Sequence, residues 1–307
     1  MLDSAIHLGY HYVRNADAPG PNCTPARLRA TIEYLKTEGY EFMTCGQVAW
    51  SFKIGAPLPE KHATLSFDDG LFDHWATTFP ILQEYGVPAT FFYITCVLEG
   101  RMPPVIGFQI LIALLGAERL EREILPRVFA GTPYLDLLDP KRYDMTDRRV
   151  GELPQFRRIK RMFNDFVPHS LKGEKIDEMF AEYVGEGSQE RYVREWFMVP
   201  YHLRDLVRAG MEIASHTVSH PLFSNIGMGE IRHEVTQPYV ALQQLLHRPV
   251  TTFGYAFDGA VRPPGQQLLA GQYHSAWSFC NGYEERMKDP YQNLFDIPRL
   301  HEAFFKF

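Results

Sequence analysis

Short apolar runs alternate with amphipathic stretches over the first hundred residues of the chain. Four of these runs have the length of a strand, and they span residues 5–13, 40–45, 62–67 and 89–95. Between the first two runs, apolar residues recur at helical spacing after Thr24 and Pro25, which are typical of a helix N-cap and of the first helical position. Strands that alternate with helices predict a parallel sheet or a barrel.

The pattern changes between residues 98 and 200. Helical spacing and charged segments dominate there, and strand signals are few. The alternation resumes afterwards, with helix, strand, helix and strand predicted at residues 201–210, 211–215, 229–247 and 251–257. We therefore predict an α/β domain formed by residues 1–97 and 201–307, and a helical insertion formed by residues 98–200.

The composition is that of a globular protein. The chain has 307 residues, of which 45% are hydrophobic and 22% charged, so it can bury a sizeable core. A net charge of -6 gives no indication of nucleic-acid binding or of attraction to an anionic membrane.

The four cysteines lack a C-x-x-C spacing, which argues against a disulfide framework and a cysteine-based zinc site. No leader is visible and the longest apolar run, residues 106–117, is too short to span a bilayer, so we expect a cytoplasmic protein.

Two adjacent carboxylates follow one of the strands. Asp68 and Asp69 come after the apolar run 62–67 and precede Gly70, at the carboxyl edge where α/β proteins place their active sites. One aspartate could bind a divalent cation while the other accepts a proton from bound water. The same residues also suit a simple turn.

A pair of histidines follows another strand. His216 and His220 come directly after the predicted strand 211–215, and a spacing of four residues would place both on one face of a helical turn. Two imidazoles in that arrangement can bind one metal ion. Histidine pairs at this spacing also occur for structural reasons, but the carboxylates after a second core-like strand favour a metal site. One aspartate and two histidines would leave coordination positions open for water and substrate.

The segments TLSFDDG, at 64–70, and HTVSH, at 216–220, resemble the first two motifs of the polysaccharide deacetylase family, also called the NodB-homology or carbohydrate esterase 4 family. The resemblance covers roughly residues 5–97 and 201–301 and leaves out the insertion. It implies an α/β fold, namely a distorted (β/α) barrel that often has fewer than eight strands.

The resemblance also implies a role for each residue of these motifs. Asp69, His216 and His220 would hold one divalent metal ion, for which zinc is the first expectation, and cobalt, nickel or manganese also suit the ligands. Asp68 would be the general base that activates a metal-bound water, the nucleophile of the reaction. The metal and a backbone N–H would stabilise the oxyanion of the tetrahedral intermediate.

The third motif departs from the family pattern. Many members have an Arg-x-Pro-Tyr sequence there, whose arginine supports the base, whereas this chain has FGYAFDG at 253–259. That sequence is closer to the Tyr-Pro-x-Gly version of other members, with Ala256 in place of proline. The Phe257 N–H is then the candidate oxyanion donor, Tyr255 a candidate for binding substrate, and Arg299 a candidate for supplying the missing positive charge.

The resemblance leaves two candidates for the general acid that protonates the leaving amine. The common family arrangement has a late Leu-x-His motif, which His301 in RLHEA can match. Circularly rearranged members carry the histidine in an early Tyr-His motif, which Tyr10 and His11 match. The tyrosine-containing third motif tends to accompany the early version, so we prefer His11 and consider His301 a substrate-binding residue.

Together these inferences predict a hydrolase that removes an N-acyl group, most simply N-acetyl, from an amino sugar or glycan precursor. Cytosolic relatives of this kind serve surface-polysaccharide or lipopolysaccharide assembly, and the insertion 98–200 would act as a lid over the barrel mouth. Two alternatives are an amidase of the same fold that cleaves a non-sugar C–N bond, and a degenerate member that binds glycan without catalysis. The sequence does not indicate an oligomeric state.

Overall fold

The computed structural model describes residues 5–15, 22–139, 154–257, 263–279 and 283–307. The chain divides into two compact units, of which the first is Met1–Glu99 with Arg194–Phe307 and the second is Gly100–Val193. Among the described residues, no helix combines the length and the apolar character needed to cross a membrane. The first unit carries all the residues singled out above as candidates for chemistry.

The strands of the described residues all lie in the first unit. They are β1 (Ala5–Tyr10), β2 (Tyr12–Val13), β3 (Asn22–Cys23), β4 (Glu41–Phe42), β5 (His62–Phe67), β6 (Thr90–Tyr93), β7 (Glu212–Ser215), β8 (Thr252–Gly254), β9 (Ser275–Phe279) and β10 (Ile297–His301). Seven of them form a closed ring of parallel strands in the order β1-β10-β9-β8-β7-β6-β5, and β5 pairs again with β1. β4 pairs with the first residues of β5, and β2 and β3 form a separate parallel pair. The closed ring confirms the predicted (β/α) barrel.

Helices surround the ring and make up most of the second unit. In chain order they are α1 (Pro25–Thr37), α2 (Cys45–Ile54), α3 (Phe79–Tyr85), α4 (Pro104–Leu115), α5 (Ala117–Arg119), α6 (Leu125–Val128), α7 (Pro154–Arg161), α8 (His169–Tyr183), α9 (Ser188–Trp196), α10 (Pro200–Arg208), α11 (Met228–Leu246), α12 (Pro263–Ala270) and α13 (Tyr283–Arg286). Short π-helical segments lie at His74–Thr78, Leu120–Ile124 and Met162–Phe166. Turns of 3-10 helix lie at Thr95–Glu99, Leu135–Leu138, Phe223–Asn225 and Glu302–Phe304.

Helix α1 shows why the first elements form where the sequence predicts them. The Thr24 side chain accepts a hydrogen bond from a first-turn N–H and Pro25 occupies the first turn, so the helix begins at the predicted residue. Leu28, Ile32 and Leu35 recur on one face and are fully buried. Each buried side chain of this size contributes about 1.5–3 kcal/mol, so the apolar face fixes the helix against the barrel.

The structure differs from the sequence prediction at several places in the barrel unit, and two strands are examples. The predicted strand 40–45 is confined to Glu41–Phe42, because Thr44 begins helix α2 with a capping box that involves Gln47. The sequence does not predict β9, because the five residues of Ser275–Phe279 form too short a pattern to distinguish a buried strand from a loop.

The second unit, Gly100–Val193, contains helices and no strand among its described residues. It has its own aromatic core, in which the rings of Phe108 and Phe163 stack with centroids 4.2 Å apart. The buried Lys172 donates a hydrogen bond from Nζ to the Asn164 carbonyl oxygen over 2.7 Å. The unit is helical, as the fold prediction expects, whereas the boundaries of the insertion and its role as a lid stay predictions.

The parallel arrangement of the ring determines where the site lies. All seven strands point the same way, so their carboxyl ends meet at one edge of the barrel. Asp68 follows β5, His216 follows β7 and His301 ends β10. The fold therefore brings together, at one edge, residues that are far apart in the sequence.

Candidate active site

Four of the predicted site residues converge at the carboxyl edge of the barrel. Nε2 of His216 and Nε2 of His220 each lie 3.5 Å from Oδ1 of Asp69. Nε2 of His216 also lies 3.8 Å from Oδ2 of Asp68. All four residues are buried, with at most 7% of each exposed. The two motifs, which follow different strands, form one cluster.

Asp69, His216 and His220 can hold a metal ion. Each offers one ligand atom, and the three atoms lie within 4.8 Å of one another. In the described part of the chain, Oδ1 of Asp69 and Nε2 of His216 are buried without a hydrogen-bond partner, which is uncommon for buried polar atoms. Nδ1 of His216 donates to the Gly254 carbonyl oxygen over 2.9 Å, so Nε2 keeps its lone pair for a ligand. Two imidazoles and one carboxylate suit a divalent cation such as zinc.

The loop that carries the histidines differs from the prediction. Residues 216–220 do not form a helical turn, because Thr217 and His220 have φ angles of 68° and 60°, in the left-handed region. The N–H of His220 donates to Oγ1 of Thr217 over 2.9 Å, and two further N–H groups of the loop donate to the Glu234 carboxylate. These side chains replace the carbonyl partners of a helical turn, and the bent loop directs both imidazoles at Asp69.

Strained backbone is concentrated around this cluster. Among the described residues, five non-glycine residues have a positive φ, and they include Asp69, Thr217, His220 and Phe257. The fifth, His247, follows the last residue of α11, where a left-handed residue commonly ends a helix. Each of the other four conformations costs on the order of 1–3 kcal/mol, and such strain is typical of functional sites.

Arg299 lies directly against Asp68. Its guanidinium donates two hydrogen bonds to the carboxylate, over 2.6 and 2.8 Å, and one to Oγ of Ser66 over 3.1 Å. The arginine is fully buried, and its guanidinium carbon lies 4.6 Å from the centroid of the Phe92 ring and 4.4 Å from that of Phe279. A bidentate pair of this kind fixes the orientation of the carboxylate. A positive charge carried by β10 therefore lies against Asp68.

Two glycines make room for the rings on either side of Arg299. A Cβ atom on Gly9 would lie 2.4 Å from the Phe279 ring, and one on Gly254 would lie 2.6 Å from the Phe92 ring. Both distances are far below van der Waals contact, so a side chain at either position would displace the ring that packs on the guanidinium. The absence of a side chain at these two positions is therefore part of what holds the Asp68–Arg299 pair.

The charges around the aspartates keep them ionised. Burial works to raise the pKa of Asp68, but the guanidinium of Arg299 and the imidazole of His216 outweigh it and hold the pKa below its ordinary value. Burial also works to raise the pKa of Asp69, and His216 and His220 lower that pKa by more. Both aspartates are therefore carboxylates at neutral pH, as a base and a metal ligand must be.

The pKa values of the two histidines of the cluster are shifted in opposite directions. Burial lowers the pKa of His220 to about 4, so this imidazole is neutral, as metal binding requires. Burial also works to lower the pKa of His216, but the carboxylates of Asp68 and Asp69 outweigh it and raise that pKa. A cation would therefore compete with a proton for His216.

The two candidates for the general acid lie side by side. The rings of His11 and His301 stack with centroids 5.4 Å apart, because β1 and β10 are neighbours and Gly9 is paired with His301. Nδ1 of His301 accepts a hydrogen bond from the Ala303 N–H over 3.2 Å, and burial lowers the pKa of His301 to about 3. His301 is therefore a neutral imidazole with its hydrogen on Nε2.

The two candidates from the third motif have different surroundings. Tyr255 is 1% exposed, and its hydroxyl donates to the Phe295 carbonyl oxygen over 2.8 Å. Its substrate-binding role stays a prediction, and this burial does not favour it. The ring of Phe257 contacts that of His220, with centroids 4.8 Å apart. Residues 258 and 259, which complete the motif, lie outside the described residues.

Two residues that the sequence analysis did not single out contact the site. Nε2 of His74, a fully buried residue, donates to the carbonyl oxygen of His11 over 2.8 Å. Glu234 accepts hydrogen bonds from the histidine-bearing loop. A sequence signal exists for Glu234, since it is a charged residue at helical spacing with the buried Ile231 and Val235 of α11. No comparable pattern marks His74.

Comparison with known proteins identifies relatives of the sequence. A family model described as polysaccharide deacetylase matches residues 55–106 and 172–262. The poly-beta-1,6-N-acetyl-D-glucosamine N-deacetylase of Escherichia coli (strain K12) is 33% identical over 86 residues, which are 27% of this chain and 13% of that protein. The enzyme of the same name from Staphylococcus epidermidis is 27% identical over 107 residues, which are 30% of this chain and 37% of that protein. The matched segments thus span well under half the length of these curated relatives.

Solved structures share the fold over nearly the whole chain. The Streptococcus pyogenes deacetylase PplD in complex with acetate has a TM-score of 0.57 at 15% identity, over 96% of this chain and 91% of that chain. IcaB from Ammonifex degensii has a TM-score of 0.57 at 13% identity, over 97% of this chain and 91% of that chain. At such identities the likeness establishes the fold, a (β/α) barrel of the NodB type.

Proposed function

Because a polysaccharide deacetylase family model matches residues 55–106 and 172–262, we propose that the chain is a metal-dependent N-deacetylase that removes the N-acetyl group from an amino sugar of a glycan. The observation that carries this proposal is one buried cluster, in which the Asp68–Arg299 pair lies against Asp69, His216 and His220. The curated relatives are named for poly-beta-1,6-N-acetyl-D-glucosamine, so an oligomer of that sugar is the first substrate to test.

Asp69, His216 and His220 are the proposed metal ligands, with zinc as the first candidate and cobalt, nickel and manganese as the others. A divalent cation held by them would polarise the acetyl carbonyl group and favour deprotonation of the attacking water. The Gly254 carbonyl oxygen accepts a hydrogen bond from Nδ1 of His216, which orients the imidazole so that Nε2 faces the proposed metal position.

Asp68 is the proposed general base. Its carboxylate lies at the edge of the ligand cluster, and Arg299 keeps it both oriented and ionised. As the oxygen of water bonds to the acetyl carbon, Asp68 accepts the proton that this water loses. Arg299 acts through Asp68, because both of its terminal nitrogens are engaged by Asp68 and Ser66.

His11 is the proposed general acid. When the C–N bond breaks, the electron pair passes to the nitrogen, and a proton from His11 completes the free amine beside the released acetate. His301 is less suited to this step, because it is a neutral imidazole whose Nδ1 is already an acceptor. Its Nε2–H can instead donate a hydrogen bond to a substrate oxygen. His74 holds the backbone of His11 in place.

The Phe257 N–H is the proposed donor to the oxyanion of the tetrahedral intermediate. The support is its position, because the Phe257 ring packs on His220 and its φ of 62° bends the backbone beside the ligands. A cytoplasmic location, a part in surface-polysaccharide or lipopolysaccharide assembly, and a lid role for residues 98–200 stay predictions from the sequence.

The test combines the metal content of the purified protein with the release of acetate from oligomers of N-acetylglucosamine. We expect a divalent ion that is lost, together with activity, in the double variant His216→Ala/His220→Ala. Asp68→Asn should keep the metal and lose about 10²- to 10⁴-fold in turnover, because it removes the base and leaves the ligands. His233→Ala, at an exposed position of α11, is the matched control for loss of a histidine.

Four outcomes would contradict parts of the proposal. Full metal occupancy in the double variant would remove His216 and His220 from the ligand set. Near-normal turnover of Asp68→Asn would exclude it as the base. Glycan binding without acetate release would favour the non-catalytic alternative, and turnover of cyclic amides alone would favour the amidase.

A further inference from the structure

One buried carboxylate accepts hydrogen bonds from the loop that carries the two histidines. Oε2 of Glu234, on helix α11, accepts hydrogen bonds from the N–H of Val218 over 2.8 Å and from the N–H of Ser219 over 3.0 Å. Oε1 accepts a third from the Ser219 hydroxyl over 2.6 Å. Glu234 is only 5% exposed. Both oxygens of one side chain are therefore committed to two consecutive loop residues.

The carbonyl groups of the same loop are held by a different element. The carbonyl oxygen of Thr217 accepts from the N–H of Thr95 over 3.2 Å, and that of Val218 accepts from the N–H of Cys96 over 2.8 Å. These donors belong to the 3-10 segment Thr95–Glu99, which follows β6. The loop is thus fixed through two carbonyl oxygens by the backbone of residues 95–96, and through the N–H groups of Val218 and Ser219 by Glu234.

Anchoring is needed because the loop conformation is unfavourable by itself. Thr217 and His220 both have φ values that side chains other than glycine rarely adopt. Released from their partners, these residues would return to negative φ, and the imidazole of His220 would rotate away from Asp69. Hydrogen bonds to a charged acceptor are stronger than those between neutral groups, so a carboxylate is well suited to oppose this relaxation.

The place of Glu234 in its helix supports the same role. The other buried residues of α11 include Ile231, Val235 and Pro238, so Glu234 lies at an apolar position. A buried carboxylate is unfavourable unless hydrogen bonds satisfy it. Packing alone would be served better by leucine or methionine at this position. The three hydrogen bonds to the loop are what the carboxylate provides and an apolar side chain does not.

We propose that Glu234 is a positioning residue of the metal site, which holds residues 216–220 in the strained conformation that directs His216 and His220 at Asp69. The inference rests on the proposed function in so far as the ligand is a metal ion. The affinity for that ion would then depend on Glu234, a residue outside the ligand set, as is common for groups that orient metal ligands.

The test uses Glu234→Gln, which keeps the shape of the side chain but replaces one acceptor oxygen with a donor. Two quantities are measured: amide hydrogen exchange of Val218 and Ser219 in the metal-free protein, and the dissociation constant for Co²⁺ by competition with a chelator. We expect weaker exchange protection at both amides, because the oxygen that remains for them is uncharged, and about 10- to 100-fold weaker Co²⁺ binding. The visible spectrum of bound Co²⁺ should also change as the ligand geometry relaxes.

Two further variants separate positioning from a general effect of the substitution. Glu230→Gln makes the same chemical change one helical turn earlier, where Glu230 is exposed and accepts from the Gly227 N–H. It should leave the Co²⁺ dissociation constant and the loop exchange as in wild type. Ser219→Ala removes one of the three hydrogen bonds to Glu234 and should have an intermediate effect.

A folded Glu234→Gln protein with unchanged loop protection and a Co²⁺ dissociation constant within about twofold of wild type would overturn the inference. If Glu234→Gln does not fold, the same two measurements on Ser219→Ala decide the matter. If wild type binds no metal, the proposed function fails, while the exchange data still show whether Glu234 holds the loop.

Discussion

The two ends of the barrel differ in how their polar groups are satisfied. At the carboxyl end, Oδ1 of Asp69, Nε2 of His216 and Nε of Arg299 are buried without a hydrogen-bond partner among the described residues. At the amino end, Glu212 accepts from the Gly46 N–H and from the hydroxyls of two threonines, over 2.6 to 2.8 Å. Both ring nitrogens of His7 are likewise within 3.1 Å of a hydroxyl.

The difference distinguishes the carboxyl end, whose unpartnered atoms are free to contact a ligand, from the amino end, whose paired groups stabilise the fold. Unpartnered atoms and left-handed residues lower stability, and they are retained where a ligand can complete the coordination. Saturated polar groups at the opposite end support the fold. In (β/α) barrels this division between carboxyl and amino ends is general. Three substitutions or conditions test it here.

The largest effect on stability is expected for Arg299→Met. This residue lies at the carboxyl end, but its buried ion pair with Asp68 also contributes to the stability of the fold. Removal of one partner from a buried ion pair destabilises by about 3–5 kcal/mol, since the Asp68 carboxylate is left uncompensated. The pKa of Asp68 should rise once the guanidinium is gone, so the acidic limb of the pH–rate profile should move to higher pH. Chemical denaturation and pH-dependent kcat measure the two effects.

The matched comparison for this variant is the double variant Arg299→Met/Asp68→Asn. It removes both charges, so it should be less destabilised than Arg299→Met alone, although inactive. Equal destabilisation of the single and double variants would show that packing between Phe92 and Phe279, and not the charge of Asp68, accounts for the loss.

A smaller effect, confined to stability, is expected for Glu212→Ala at the amino end. The variant leaves the Gly46 N–H and the hydroxyls of Thr90 and Thr252 without their acceptor, and a buried donor without a partner costs about 1–3 kcal/mol. The free energy of unfolding should fall by that order while kcat stays within about twofold, because Glu212 lies at the far end of the strands from the cluster. Glu212→Gln, which keeps an acceptor oxygen, should lose less. A large fall in kcat at unchanged stability would contradict the division.

A third effect is a pH dependence of the free energy of unfolding that originates at His7. Burial, and secondarily the neighbouring His62, lower the pKa of His7 to about 3, so the folded state holds the neutral imidazole. Its contribution to stability is complete above the unfolded pKa of about 6.5. Between that pH and about 3 it declines by about 1.4 kcal/mol per pH unit, because the unfolded chain takes up the proton. Denaturation curves at pH 7, 6 and 5 should show a shallower decline in His7→Asn than in wild type, and parallel declines would exclude His7 as the source.

Much of this fold could be predicted because its signals are local. The cap at Thr24, the apolar run at 62–67 and the aspartates after it all lie within a few residues of the elements they define. Residues 216–220 could be connected to a metal in the same way, by spacing and residue type. Their conformation could not, because the partners that replace a helical turn come from Glu234 and from residues 95–96.

The unpredicted parts of the site depend on contacts across the barrel. Whether Arg299 faces Asp68 or solvent depends on the alternation and register of β10 beside β1, and a five-residue strand near other short elements does not reveal its register. The stacking of His11 on His301 depends on the same register. The sequence therefore left two candidates for the general acid, His11 and His301. Their relative positions follow only from the pairing of β1 with β10 in the closed ring.

The contact between Asp68 and Arg299 joins residues 231 positions apart. During synthesis, the strand that bears Asp68 leaves the ribosome long before the strand that bears Arg299. Until β10 docks beside β1, the nascent barrel is an open sheet whose carboxylate has no counter-ion, and pairing of such distant segments is a slow step in folding. A chain interrupted before β10 would possess every proposed metal ligand and still lack an oriented base. The proposed chemistry is thereby linked to completion of the fold.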